Sequence, residues 1–152
     1  MTKLLTALLC LIVCTSATSA GDTRPRFVEA HVQNSPGGEV DRFLQLLDAF
    51  LEDGTKVHIS GYCASACTLF LTADACVYED TRLGFHAPYL VSPVVPGARL
   101  YNPEMTAEFL RHYPPHIRQW LEDNGGLQPS LIWLEGPELL SLVPLCEGTP
   151  IV

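Results

Sequence analysis

The stretch GYCASACTLFL, residues 61–71, places one serine among small residues and between two cysteines, directly before an apolar run. A short β-branched segment, residues 56–60, precedes it and predicts a buried strand that ends at Gly61. Residues 65–73 are mostly apolar and predict a buried helix. Ser65 therefore lies at the turn between a strand and a helix, where unpaired backbone N–H groups and the helix dipole favour negative charge.

Ser65 has two interpretations at this turn. As a nucleophile it stands between Ala64 and Ala66, whose small side chains leave room for a substrate carbonyl, much as glycines do in Gly-x-Ser-x-Gly elbows. As a structural residue it caps the helix, because serine is a favoured N-cap residue. The neighbouring segments help to decide between the two.

The segment before residue 56 predicts a strand, a turn and a helix. Residues 27–33 alternate apolar and polar side chains and end at Asn-Ser-Pro-Gly-Gly, residues 34–38. From Glu39 apolar residues recur at helical spacing until Gly54 supplies a C-terminal cap. Strand, helix and strand in this order predict a right-handed crossover between parallel strands.

Parallel strands end at the same edge of a sheet, so Gly37 and Gly38 are expected beside Ser65. Their exposed N–H groups would complete an oxyanion site there. Further strand material at residues 76–78 and 83–86 ends at His86. His86 is either a general base for Ser65 or a partly exposed residue at the end of a strand.

Three motifs occur in order along the chain: NSPGG at residues 34–38, GYCASAC at residues 61–67 and GFHAP at residues 84–88. Together they resemble the proteolytic subunit of Clp protease and, more closely, exported proteins with a ClpP/crotonase-like domain. The resemblance covers about residues 28–88. It implies an α/β fold of the ClpP/crotonase type, with a small, mostly parallel sheet and flanking helices.

The same resemblance implies a role for each candidate site residue. Ser65 is the nucleophile and His86 is the base. The N–H groups of Gly37 and Ala66 bind the oxyanion, and the region of Gly38 aligns an extended peptide. The implied function is a peptidase-like serine hydrolase that acts on a peptide or protein and needs no cofactor.

The third member of the family's triad is missing from this sequence. In the segment that matches the family's acid, the expected aspartate position holds Leu131. Ser130, Glu135 or Asp80 is then an alternative partner for His86, or a Ser-His dyad acts without an acid. A non-catalytic binding or assembly module that has lost the acid is the alternative function.

The first residues have the features of a secretory signal: Lys3, an apolar run at residues 4–13 and small residues at 15–20. We therefore predict a signal peptide over residues 1–20 and a single domain over residues 21–152. The protein is expected to be exported, periplasmic or secreted, and to work without an ATPase partner because that compartment lacks ATP. A homo-oligomer is compatible with the resemblance. The formal net charge of −8 argues against nucleic acids and anionic membranes as partners.

Four cysteines follow the predicted signal: Cys63, Cys67, Cys76 and Cys146. In an oxidising compartment they predict two disulfides, with three possible connectivities. Pairing of Cys63 with Cys67 and of Cys76 with Cys146 is favoured because the first two are close in sequence. A thiol-redox protein in which Cys63 and Cys67 cycle is a third hypothesis, although the usual Cys-x-x-Cys spacing is absent.

The cysteine spacing does not predict a metal site. The Cys-x3-Cys pair has no second close pair and no nearby His-x3-5-His partner. His31 and His58 lie in predicted strands and are interpreted as structural histidines.

The chain changes character after His86. Three prolines and a glycine in residues 88–97 predict an irregular loop, of the kind that is functional or covers a site. Helices are predicted over residues 103–112 and 116–123. Residues 131–134 and 137–142 complete a hydrophobic C-terminal part.

Overall fold

The structure is a computed structural model that describes residues 28–150. The predicted signal peptide lies outside the described residues. The elements, in chain order, are β1 (Glu29–Ser35), α1 (Val40–Asp53), β2 (Lys56–Ala64), a 3₁₀ helix (Ser65–Thr72), β3 (Asp74–Val77), β4 (Arg82–Phe85), β5 (Tyr89–Val91), β6 (Arg99–Tyr101), α2 (Pro103–Arg111), α3 (Pro115–Asp123), β7 (Ile132–Glu135) and α4 (Gly136–Leu142).

The main sheet has five strands, with β2 at its centre. β1 pairs with β2 in parallel on one side. On the other side the first half of β2 pairs with β3 and the second half with β4, again in parallel. β7 adds to β4 in the antiparallel direction. The prediction of a mostly parallel sheet in an α/β fold is therefore confirmed.

The core lies where α1 packs on the 3₁₀ helix and both pack on the sheet. Val57 and Ile59, in β2, have no exposed surface. Phe43 and Phe50 lie two turns apart on the same face of α1. Both rings pack on Phe70 of the 3₁₀ helix, and each ring centroid is 5.3 Å from that of Phe70. The helical period of the apolar residues in α1 thus has a direct packing cause.

β2 is longer than the sequence predicted. The prediction ended this strand at Gly61, but the strand continues to Ala64. Gly61 adopts a left-handed φ of +63°, and the pairing of β1 with β2 shifts register between Gln33 and Ser35. The glycine therefore absorbs a bulge within the strand instead of ending it.

Two other expectations were wrong in detail. The helix after β2 is a 3₁₀ helix that ends at Thr72, one residue short of the prediction. The predicted irregular loop after His86 contains an antiparallel hairpin of β5 and β6. Its prolines do not break the strands, because all three lie outside them, and the Ser92 hydroxyl organises the turn by accepting the N–H groups of Val94 and Val95.

The C-terminal part packs against the sheet through aromatic side chains. Phe85, at the end of β4, contacts the rings of Tyr113 and Trp120, with centroids 5.5 and 5.6 Å away.

Within residues 28–150, no helix is long and apolar enough to cross a membrane.

Both predicted disulfides are present. Cys63 is bonded to Cys67 across the turn that follows β2. Cys76 is bonded to Cys146 and so ties the C-terminal segment to β3. The N–H of Cys146 also donates to the carbonyl of Val77 at 2.8 Å, which adds a backbone contact to the covalent one.

The Gly61 bulge generates a test of the fold. A Cβ at Gly61 would lie 2.2 Å from Asn34 Oδ1, the atom that accepts the N–H of Tyr62. Gly54 has a similar φ, +66°, but a Cβ there would meet nothing within 4 Å. Both alanine variants carry left-handed strain of about 1–3 kcal/mol. We expect Gly61→Ala to lose about 1–3 kcal/mol more, because it also overpacks against Asn34.

The measurement is the free energy of unfolding from denaturant titration of Gly61→Ala and Gly54→Ala side by side. Equal losses in the two variants would show that the Asn34 side chain moves aside at no cost, and that this contact does not hold β1 to β2.

Candidate active site

The Ser65 turn has a strained backbone. Ser65 has a φ of +57°, a left-handed value that costs a non-glycine residue about 1–3 kcal/mol. The residue in the N-cap position is Ala64, which has no side-chain oxygen. Ser65 therefore does not cap the helix, and its hydroxyl is not needed for that purpose.

Several groups hold this turn in place. The Cys63–Cys67 disulfide spans it. The Thr68 hydroxyl donates to the Ser65 carbonyl at 2.7 Å and lies 2.6 Å from the Tyr113 hydroxyl. Because the single Thr68 proton goes to Ser65, the Tyr113 hydroxyl is the donor to Thr68. Burial raises the pKa of Tyr113 well above its usual value, so this donor keeps its proton.

The glycine turn after β1 touches the Ser65 turn directly. Gly37 has a φ of +80°, and a Cβ there would lie 2.5 Å from the Ala64 carbonyl oxygen, 2.7 Å from Ser65 Cβ and 2.9 Å from the Ala66 nitrogen. Only glycine permits so close an approach. The Gly37 N–H donates to Ser35 Oγ at 3.3 Å, so this N–H already has a partner within its own turn.

An open cavity of about 660 Å³ lies above these turns. Ser65, His86, Gly37 and Gly38 all line it. The structure therefore brings four of the five predicted site residues to one place. The fifth, Ala66, is fully buried, and only its backbone N–H, in the first turn of the helix, is a candidate for ligand binding.

His86 is half-buried and is oriented by its own backbone neighbour. Its Nδ1 lies 2.7 Å from the carbonyl oxygen of Ala87. Since a carbonyl only accepts, Nδ1 is the donor in this contact. In the neutral ring Nε2 is then left as the acceptor. The His86 ring also stacks on Tyr89, with centroids 5.9 Å apart and planes 28° apart.

The candidate acids do not reach His86. Glu135 is paired with Arg82, and Asp80 lines a separate pocket beside the Cys76–Cys146 disulfide. Ser130 lines the same cavity as His86. Within residues 28–150, no carboxylate forms an ion pair with His86.

Leu131 occupies the position opposite His86. β4 and β7 pair Phe85 with Ile132, so the next step of the antiparallel register places Leu131 across from His86. Leu131 also lines the cavity. The position that would hold an acid for His86 is therefore adjacent to it and carries an apolar side chain.

No motif in the sequence predicted a role for Tyr89 or Arg99. Both line the cavity, and the Arg99 guanidinium lies 4.5 Å over the Tyr89 ring. They meet because β5 and β6 pair, with Tyr89 opposite Tyr101 and Val91 opposite Arg99. The segments that form β5 and β6 are short runs of residues that favour strands, and they flank a turn that contains a Ser-Pro pair. This pattern could have predicted the hairpin.

Comparison with known proteins shows that this chain resembles several solved structures. A serine-to-alanine mutant of the 1510-N membrane-bound stomatin-specific protease matches with a TM-score of 0.55 and 15% identity, over 77% of this chain and 63% of that one. A lysine-to-alanine mutant of that protease in complex with a substrate peptide matches with a TM-score of 0.54 and 16% identity, over 77% and 59%. The present chain thus spans less than two thirds of either structure.

A ClpP1 mutant from Listeria monocytogenes matches with a TM-score of 0.43 and 20% identity, over 76% of this chain and 70% of that one. No protein-family model matches the sequence, and no curated protein matches it. The mostly parallel sheet with its flanking helices and the two matches with TM-scores above 0.5 show that the chain shares the α/β fold of the stomatin-specific protease.

Proposed function

We propose that this protein is an exported, peptidase-like serine hydrolase that uses Ser65 and His86 as a dyad and needs no ATPase. One observation carries the proposal: Ser65 is held in a left-handed turn on the wall of a cavity that His86 also lines. Strain of this kind concentrates at functional sites, and no capping role accounts for it.

His86 supplies the base in this mechanism. With its Nδ1–H held by the Ala87 carbonyl, Nε2 is the atom that accepts the Ser65 proton. Ser65 Oγ then attacks the substrate carbonyl, and His86 returns the proton to the leaving amine as an acyl-enzyme forms. Water, activated by the same histidine, releases the acyl group.

The oxyanion of the tetrahedral intermediate requires N–H donors. The Ala66 N–H is one, because it lies in the first turn of the 3₁₀ helix, next to Gly37. The second comes from the Gly37–Gly38 turn. The Gly37 N–H faces Ser35 Oγ, so either it exchanges that weak contact for the substrate or Gly38 supplies the donor.

The two disulfides support an oxidising compartment for this site. A hydrolase exported from the cytoplasm has no ATP with which to drive an unfoldase. Its substrates are then peptides or exposed protein segments that enter the open cavity unaided.

A non-catalytic binding module is the second candidate, and Leu131 favours it. A full carboxylate at this position would both orient His86 and stabilise its protonated form, and its loss in a triad commonly costs orders of magnitude in rate. Labelling with a serine-reactive probe separates the two functions.

Ser65 is expected to react with a fluorophosphonate probe, because a base-activated serine beside oxyanion donors attacks phosphorus as it attacks a carbonyl. Labelling of the folded, disulfide-bonded protein is read by intact mass. Ser65→Ala should abolish the label, whereas Ser141→Ala, which alters an exposed serine outside the cavity, should keep it. A folded protein that never labels favours the binding module.

Gly37→Ala is expected to lower the labelling rate at least about tenfold, because the new Cβ displaces the oxyanion donors. The added Cβ would lie within 3 Å of atoms of Ala64, Ser65 and Ala66. The matched variant is Gly38→Ala, whose Cβ meets only Phe43 at 3.6 Å, and it should lose far less. Similar rates in the two variants would contradict a role for the Gly37 contact.

Leu131→Asp is expected to raise the labelling rate about tenfold to a hundredfold, because it places a carboxylate opposite His86. Leu131 is 43% exposed, so the change leaves the core intact. Leu131→Asn, which has the same shape without the charge, should give little increase. If the aspartate variant is labelled no faster than the asparagine variant, the side chain at position 131 does not interact with His86.

A further inference from the structure

A pair of histidines lies on the sheet outside the candidate active site. His31 in β1 and His58 in β2 are directly paired in the parallel register, with ring centroids 4.7 Å apart. Glu29 precedes His31 by two residues, so its side chain leaves the same face of the sheet. The three side chains therefore converge near the start of β1.

The Glu29 carboxylate lies between the two rings. Its Oε2 is 3.7 Å from His31 Nε2, and its Oε1 is 3.9 Å from His58 Nε2. Both distances are too long for hydrogen bonds. Ligand atoms that share a zinc ion at about 2.0–2.2 Å lie roughly 3.3–3.6 Å apart in a tetrahedron. Each histidine nitrogen is therefore within a few tenths of an ångström of this spacing from one oxygen of the carboxylate.

His58 points an unused ligand atom at this place. The residue is 8% exposed, and its buried Nε2 has no hydrogen-bond partner, which is rare for a buried ring nitrogen. On the other side of the ring, Nδ1 lies 3.4 Å from the Tyr78 hydroxyl. If Nδ1–H donates to Tyr78, Nε2 carries the free lone pair, as a metal ligand with an outer-shell partner does.

Other charged groups flank the two histidines on the same face of the sheet. Lys56 in β2 is the register partner of both Glu29 in β1 and Asp74 in β3, so one positive charge lies between two negative charges in this row.

We propose that Glu29, His31 and His58 form a binding site for a zinc-type divalent cation, with water in the remaining coordination position. Imidazole nitrogens and one carboxylate are a ligand set that such borderline cations accept. Cys76 and Cys146 have sulfur atoms within 4.8 Å of a His58 nitrogen, but their disulfide leaves no thiolate to coordinate. The site is independent of Ser65 and of the proposed hydrolase activity.

The test uses tag-free, disulfide-intact protein and zinc chloride in isothermal titration. We expect one zinc ion per chain, with the Kd raised at least about tenfold in Glu29→Gln and in His31→Ala. The His31 side chain is 30% exposed and that of Glu29 is 57% exposed, so both variants should fold. His116→Ala, at an exposed position on α3, is the matched control and should bind as the wild type does.

A second measurement identifies the ligands without relying on a His58 variant. Copper(II) bound to the wild type should show two imidazole nitrogens by electron paramagnetic resonance, and one in His31→Ala. The proposal is overturned if zinc gives no one-to-one saturable binding. It is also overturned if His116→Ala weakens binding as much as His31→Ala, or if the copper spectrum of the wild type lacks nitrogen ligands.

Discussion

The left-handed backbone of Ser65 is the constraint on which the candidate site depends. A serine with a φ of +57° does not stay there unless its surroundings determine it more strongly than its own preference. Three separate contacts do so: the Cys63–Cys67 disulfide, the hydroxyl chain from Tyr113 through Thr68 and the close approach of Gly37. The disulfide and Thr68 are local to the turn, whereas Tyr113 and Gly37 come from distant segments, so the turn is fully held only when those segments pack against it.

The other half of the site is positioned by the sheet. β4 lies between β2 and β7, so His86, which follows β4, emerges at the edge where Ser65 begins its helix. Ala64 pairs with Gly84 on one side, and Gly84 pairs with Trp133 on the other. The register of these strands thus decides which residue faces His86, and it selects Leu131, the residue just before β7.

The sequence predicts the parts of this site that depend on local chemistry. Gly37 and the small neighbours of Ser65 signal a close backbone approach and an open nucleophile, and both occupy one sheet edge as expected. The sequence does not reveal features that arise from pairing between distant segments. The bulge at Gly61 depends on Asn34, 27 positions earlier in the chain, and the alignment of His31 with His58 depends on the register of two strands. Neither leaves a periodic pattern in the sequence.

In the proposed mechanism a backbone carbonyl takes the place of the missing acid. The Ala87 carbonyl that holds His86 Nδ1 belongs to a residue only 4% exposed, and the Ala87 N–H donates to the Gln128 carbonyl at 2.7 Å. Ala87 is therefore held in place by burial and by its own N–H, so its carbonyl can select the tautomer of His86. It carries only a partial charge, however, and stabilises a protonated imidazole less. In the proposed mechanism such a dyad keeps the orientation of the histidine and gives up part of the rate that a full carboxylate would supply.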